Sequence, residues 1–572
     1  MADSHVRVDW RAFTIWVRDI LGPEKKFVCL GLIYGVAIGL LSLATPISVQ
    51  MLINSVTNTA LPAPLFTLAG VLLALLLFWA LLNAFRLHLM ELFRRRFFAR
   101  LVADITLRSV YAQNPFFHDE RRGDLFNRFF ELMTIQKAVP SLLIGGFTVI
   151  FQATIGFVVT AFYHPFFLLF NLGFIACVAL IWFVWAGGGM RTAVTLSQRK
   201  YEAAHWLESV GGSNGFYKSS RHLDYAMDMS ERRTAGYVQA HKAHLRYAFP
   251  QAVALLVLYA VASAGLLALG GWLVIQGQLS IGQLVAAELI LSSVFYGAAQ
   301  LGPYVDSFYD LVAAVEELSL FHHIAQEDVH SGKAGQRLRD GGLRLVDACA
   351  SDRFGPARLN LELAAGTQAI AAAEPGMERL LATLLKRHVR VASGLVTLGG
   401  ADIGSLDMFR LRSDVIVLDR ATIVESTARD YLSLANPQAD SARVMALLRA
   451  VGLELRLSSL PDGLDTQLSS TGWPLSQSEI LSLKLAGALL AQPRILVLSS
   501  IFDSVPQSRV LSAAALLREA GTTLVWFTHR TDHEGLDAWL WVGRNEQFVT
   551  AERARFTRAL TAAEEGTHAV SS

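Results

Sequence analysis

Six stretches of this sequence are long and apolar enough to cross a bilayer as helices, near residues 27–53, 65–87, 141–163, 166–186, 250–276 and 281–302. A hydrocarbon core takes about 20 helical residues, and a lone segment in lipid can satisfy its backbone only as a helix. The first half of the chain is therefore committed to a bundle of membrane helices. Composition agrees: of 572 residues, 53% are hydrophobic and 17% charged, against about 25% charged in soluble domains. This excludes disordered, collagenous and disulfide-rich secreted classes. The formal charge of +2 leaves no nucleic-acid footprint. Cys29, Cys177 and Cys349 lack metal or redox spacing, and no metal site is expected.

The connections orient the spans. Those near 54–64, 163–165 and 276–280 carry no Lys or Arg, whereas ten lie between Arg86 and Lys137 and nine between Arg191 and Arg246. The positive-inside rule then places the long connections and both termini in the cytoplasm. The first span follows Glu24, Lys25 and Lys26, is longer than a cleavable signal, and is expected to remain in the mature protein. Trp10 to Leu21 reads as an amphipathic helix on the membrane surface.

The long connections keep helical periodicity, so spans 2 to 5 are predicted to extend beyond the membrane and meet at two turn-rich tips. The first holds Asn114-Pro115-Phe116-Phe117 and Arg121-Arg122-Gly123-Asp124; the second holds Gly211-Gly212-Ser213-Asn214-Gly215. A polar linker follows over 326–342. Short β-like runs at Leu343–Val346, Ala369–Ala372, Val415–Leu418, Ile495–Leu498 and Thr523–Phe527 then alternate with helical segments, an α/β pattern. From Ala562 the chain reads as a frayed tail.

This organisation resembles the exporter type of ABC half-transporter. Phe117-His118-Asp119-Glu120-Arg121-Arg122-Gly123-Asp124-Leu125 is similar to that family's first coupling helix. Ser393-Gly394-Leu395-Val396-Thr397-Leu398-Gly399-Gly400-Ala401-Asp402-Ile403 is similar to the strand and turn after its phosphate-loop helix. Leu460-Pro461-Asp462-Gly463-Leu464-Asp465-Thr466 is similar to the segment before its signature motif. The resemblance implies a transmembrane domain over 1–325, a linker over 326–342, an ABC-type nucleotide-binding-like domain over 343–560 and a flexible tail over 561–572. It also implies coupling residues at Phe117, Asp119, Gly123 and Asp124, and at Gly215 and Lys218 of the second tip.

At the motifs that hold nucleotide, the residues depart from the family. A phosphate loop needs glycine-rich backbone, a lysine for the β- and γ-phosphates and a hydroxyl for Mg²⁺. Here Ala372-Ala373-Glu374-Pro375-Gly376-Met377-Glu378-Arg379-Leu380 sets Glu378 at the lysine position and Arg379 at the hydroxyl position. Ser499 and Ser500 stand where the Mg²⁺-binding Asp and catalytic Glu are expected, and Asp419 where a glutamine is expected. The signature reads Leu475-Ser476-Gln477-Ser478-Glu479, leaving Ser476 and Ser478 as residual nucleotide contacts; His529 keeps the switch-histidine position. Simpler readings stand beside these: Ser476 as a helix cap, His529 as a loop residue, and Glu378 with Arg379 as a solvated helix start.

The expected cofactor state is no nucleotide on the chain's own phosphate loop, with ATP and Mg²⁺ supplied only through an intact partner half. The expected function is a non-catalytic, ATPase-deficient half of an export system, with a dead homodimeric scaffold or regulator as its alternative. Expected partners are the membrane and a dimer, a heterodimer with an intact ABC half being favoured, with a periplasmic adaptor as a further candidate and no nucleic acid. The expected location is the cytoplasmic (inner) membrane, crossed several times. Glu288, inside the sixth apolar stretch, is costly in lipid; it is a candidate functional carboxylate, the proton site in an ion-driven carrier.

Overall fold

A computed structural model describes residues 18, 22–58, 63–113, 127–322, 324–327, 338–352, 354–530 and 536–570. The first tip, with Phe117, Asp119, Gly123 and Asp124, lies outside the described residues, as do all but Arg18 of the Trp10–Leu21 segment and positions 328–337 of the linker. The chain divides into two compact units that meet between Gln326 and Glu327.

In the first unit, α1 (Lys25–Leu41) and α2 (Ala44–Asn58) form the first crossing, α3 (Ala63–Val110) the second, and α4 (Glu131–Pro140) with α5 (Phe147–Ala161) the third. Then come α6 (Pro165–Gly212), α7 (Ser220–Ile275), and the pair α8 (Ile281–Ala299) and α9 (Leu301–His322), completing six apolar crossings among the described residues. At 1.5 Å per residue, the 48-residue α6 and 56-residue α7 are about two and a half to three times as long as a bilayer core requires. Their surplus forms the charged extensions. No side chain in the most apolar stretch of α3 is buried, which leaves Leu73, Leu77, Phe78 and Leu81 exposed, as lipid-facing residues are.

Small residues let α6 approach its neighbours. A Cβ at Gly188 would fall 2.1 Å from the Tyr247 ring of α7, and one at Gly189 would fall 2.5 Å from the Tyr309 ring of α9. Tyr309, fully buried, donates its hydroxyl to Gln251 Oε1 at 2.6 Å. Beyond the apolar windows, charged pairs tie the extensions: buried Glu24 meets Arg96 at 3.2 Å, and buried Glu317 meets Arg128 at 2.7 Å.

The second unit begins with β1 (Leu343–Asp352), β2 (Gly355–Leu363) and β3 (Gln368–Ala373), then α10 (Met377–Leu385), β4 (Ser393–Leu398) and β5 (Ala401–Asp402). Next are α11 (Met408–Asp414), β6 (Val415–Leu418), β7 (Ser426–Thr427), α12 (Ala428–Ala435), α13 (Ser441–Ala450), α14 (Glu454–Ser458) and β8 (Gln467–Leu468). It closes with α15 (Gln477–Ala491), β9 (Ile495–Leu498), α16 (Gln507–Glu519), β10 (Thr523–Phe527), β11 (Ala538–Val542), β12 (Gln547–Thr550) and α17 (Arg553–Val570).

The central sheet has the order β12-β11-β3-β10-β9-β6, parallel except for the antiparallel edge β12. Alternation along its strands builds two cores. Ile495, Val497, Val525 and Phe527 face the antiparallel sheet β2-β1-β4-β5 and α10; Leu496, Leu498, Leu524 and Trp526 face the helical layer that includes α15 and α16. The five β-like runs of the sequence form strands, while β2, β5, β7, β8, β11 and β12 were not anticipated. α17 runs as helix through the stretch read as a frayed tail.

Candidate nucleotide-type site on the second unit

The parallel strands β3, β6 and β9 all end toward one edge, and their C-terminal turns bring the sequence-selected residues together. After β3 the chain turns at Glu374-Pro375-Gly376 into α10, with Met377 N donating to Glu374 O at 3.0 Å. Gly376 has φ +86°, a left-handed conformation that costs a non-glycine residue energy. Its space is also taken: a Cβ there would lie 2.5 Å from Asp352 Oδ2 and 2.6 Å from the Phe354 ring. Arg544 fixes that wall. Its Nη2 donates to both Asp352 oxygens at 2.9 Å, its Nη1 to Gly355 O at 2.9 Å, and its backbone amide to Glu374 Oε2 at 3.0 Å.

Glu378 sits on the first turn of α10, half-buried, and its carboxylate accepts from the Ser500 backbone amide. Burial pushes its pKa above the ordinary 4.5; Asp419 and Asp503 push the same way, while the Ser500 amide and His529 oppose. Arg379 is exposed on the same turn. Ser499, 4% exposed at the end of β9, has no hydrogen-bond partner for its Oγ among the described residues. Asp503 accepts from Thr528 Oγ1 at 2.6 Å and from the His529 amide at 3.0 Å, holding His529 in place with its ring exposed. Asp419, exposed beyond β6, faces Lys386 and Lys484, whose pKa values burial lowers. Lys484 Nζ donates to Arg420 O at 2.6 Å.

The structure thus gathers Glu378, Asp419, Ser500, Asp503 and His529 in one place. It sets Ser476 and Ser478 apart, at the start of α15. Ser476 Oγ accepts from Glu479 N at 3.4 Å and Glu479 Oε2 accepts from Ser476 N at 2.8 Å, a capping box. Ser478 is half-buried, its carbonyl accepting from Ser482 Oγ at 2.8 Å. Gly215 and Lys218 lie exposed at the tip between α6 and α7. Glu288 lies on α8 with Oε2 buried and without a hydrogen-bond partner among the described residues; Gln283 is engaged in the Ser280 capping box. Among the described residues no three His, Cys, Asp or Glu side chains are placed to hold a metal.

As a cradle for Mg-triphosphate the turn is a poor fit. Three carboxylates, Glu378, Asp419 and Asp503, meet at Glu378 against His529, and Pro375 contributes no amide. Sequence reasoning missed the Asp352–Arg544–Phe354 wall and the two lysines facing Asp419. Arg544 lies 192 residues from Asp352, so no local pattern announces the pair.

Fold and relatives converge. The ABC transporter transmembrane region family matches residues 28–212. The structure titled "Structure of a bacterial Atm1-family ABC exporter with ATP bound" superposes with a TM-score of 0.75 at 19% identity, covering 95% of this chain and 98% of that one. The fold is that of an ABC exporter half-transporter. The cyclolysin secretion/processing ATP-binding protein CyaB of Bordetella pertussis is 25% identical over 531 residues, 90% of this chain and 73% of that protein. The alpha-hemolysin translocation ATP-binding protein HlyB of Escherichia coli is 24% identical over 496 residues, 85% of this chain and 69% of that protein.

These relatives correct the expectation of an ATPase-deficient half, and equally its alternative of a dead scaffold. Proteins similar over most of the chain are named as ATP-binding export proteins. The motif reading weighed side-chain identities at a few positions. The backbone that carries them runs from β3 through the Gly376 turn into α10, and from the capped α15 into β9.

Proposed function

We propose that this chain is one half of a dimeric, ATP-driven ABC exporter that moves cargo across the membrane. The observation that carries this reading is similarity over 85–90% of the chain to proteins named for secretion or translocation of cyclolysin, leukotoxin and alpha-hemolysin. The departures at Glu378, Arg379, Ser499 and Ser500 are read as weakening nucleotide binding and slowing turnover, because a carboxylate facing phosphates repels what a lysine attracts.

An unlike ABC half is the favoured dimer partner, since two copies of this chain would set two Glu378 side chains at two triphosphates. The Lys and Arg distribution supports cytoplasmic placement of both termini and of the second unit. The test compares extracellular fractions of cells with and without the gene for this chain, and of the deletion complemented by it. Restoration of particular exported molecules supports the reading; identical extracellular inventories refute it.

A further inference from the structure

Basic residues concentrate where α1 meets α3 at the edge of the apolar spans. Over residues 22–41 and 86–100 the chain holds seven Lys and Arg against two acids, Glu24 and Glu91. On α9 the balance is reversed: residues 301–310 carry Asp306 and Asp310 and no basic residue. The excess is therefore local to one helix pair, beyond the general positive-inside bias.

Side-chain contacts set the two helix ends at one level. The Phe27 ring of α1 meets the Phe93 ring of α3 edge-on at 6.3 Å, and Arg96 lies over Phe27 at 5.7 Å. Both acids are already engaged: Glu24 holds Arg96 at 3.2 Å and Arg100 at 3.6 Å, and Glu91 holds Arg95 at 2.9 Å. Lys25, Lys26, Arg86 and Arg94 are left with no carboxylate at ion-pair distance among the described residues. Lys25 and Lys26 are exposed; Arg86 and Arg94 are half-buried, and each has a buried Nε without a hydrogen-bond partner among those residues.

Arg86 is the deepest of the four. It continues the buried stripe Leu89, Phe93, Phe97 and Leu101 at helical spacing, so it is directed into the bundle and away from bulk water. Its Nη1 donates to Thr148 Oγ1 of α5 at 3.1 Å, and that hydroxyl lies 3.6 Å from where a Cβ on Gly35 of α1 would stand. Thr148 is a neutral partner. A guanidinium without counter-charge at the margin of the hydrocarbon is costly, and an anion reaching it relieves that cost. The adjoining flank of α3 is apolar and open, with Leu81, Phe85 and Leu87 exposed.

We propose that the α1–α3 junction binds an anionic phospholipid, its headgroup phosphate held by Lys25, Lys26 and Arg94 with Arg86 beneath, and its acyl chains along Leu81 and Phe85. A lipid fits better than a soluble phosphate because the cations and the apolar flank are continuous at the ends of the spans 27–53 and 65–87. The inference concerns binding by the membrane unit and does not depend on nucleotide turnover.

The experiment titrates the full chain in neutral detergent at near-physiological salt with dioctanoyl phosphatidylglycerol, dioctanoyl phosphatidylcholine and glycerol phosphate, and reads bound ligand by native mass spectrometry. The expected result is saturable binding of phosphatidylglycerol, at least about tenfold tighter than phosphatidylcholine. Replacing Lys25, Lys26 and Arg94 together by Gln should weaken it at least about tenfold, and Arg86→Gln at least about threefold. Replacing Lys242 and Arg246, two exposed basic residues of α7, by Gln should change it less than about twofold. Should Arg86→Gln fail to fold, the triple variant at the helix ends decides. No preference over phosphatidylcholine, unchanged affinity in either folded variant, an equal loss in the α7 control, or glycerol phosphate binding as tightly as the lipid overturns the proposal.

Discussion

Replacing Glu378 by lysine restores at one position the cation that a phosphate loop ordinarily supplies. Two unit charges 4 Å apart interact by about 4 kcal/mol at an effective dielectric constant of 20, so reversing the sign at a phosphate is nominally worth about twice that. Three features cut the gain. The burial that, with Asp419 and Asp503, raises the Glu378 pKa also desolvates an ammonium placed there. Those two acids would also bind the new ammonium in the empty site. The carboxylate's bond from the Ser500 amide is lost, a term of about 1–3 kcal/mol for a bond to a charged group. A net gain of about 2–4 kcal/mol in nucleotide binding remains, or roughly 30- to 700-fold in Kd at about 1.4 kcal/mol per decade. Titration of the purified chain and of Glu378→Lys with a fluorescent ATP analogue measures it. Equal affinities, or tighter binding by the parent chain, would refute the placement of Glu378 against the phosphates.

The same carboxylate sets a pH trend. As an acid with a raised folded pKa, Glu378 contributes stability that is present below about 4.5 and lost as pH rises through the folded value; Glu378→Gln should flatten thermal stability across that window. His388 runs the other way. Burial and then Arg412 lower its pKa from 6.5 to about 4, so its contribution is complete above 6.5 and lost as pH falls toward 4. Arg412 Nη2 lies 2.9 Å from His388 Nδ1 and Arg412 also grips Glu327 at 2.7 Å; a His388→Gln variant should lose less stability than the parent between those pH values in melting scans. Gly376→Ala should lower stability by about 1–3 kcal/mol, because its φ is +86° and its Cβ space is filled by Asp352 and Phe354; an unchanged melting temperature would contradict the turn geometry. Ser476→Ala removes one half of the α15 capping box and should cost about 1 kcal/mol, read by denaturant titration, whereas Ser476→Gly should cost only a few tenths.

The membrane unit was largely legible because a bilayer imposes one length and one polarity on any helix that crosses it. In the second unit, legibility followed burial. β3, β9 and β10 are covered on both faces and stand out as apolar runs. In β2 the exposed Arg358, Asn360 and Glu362 alternate with buried Ala357, Leu359 and Leu361, so its apolar content never forms a run. β1 was read only to Val346, because a bulge at Asp347, with φ +47°, breaks its pairing register. Site residues were legible one by one, and their convergence at Glu378 follows from parallel strands ending at one edge. The error lay in passing from lost side chains to lost function. A few substitutions weigh heavily on motif logic and lightly on a match that extends over nine-tenths of the chain.

The central claim is that this chain belongs to a working, nucleotide-driven exporter. Phosphate release by the purified chain in proteoliposomes, alone and with any half-transporter that copurifies with it, tests that claim most directly. The account predicts ATP-dependent release above the lipid blank, slow, and abolished by Ser476→Arg, which blocks the start of α15. Release no greater than the blank in both preparations, or equal release from Ser476→Arg, would contradict it.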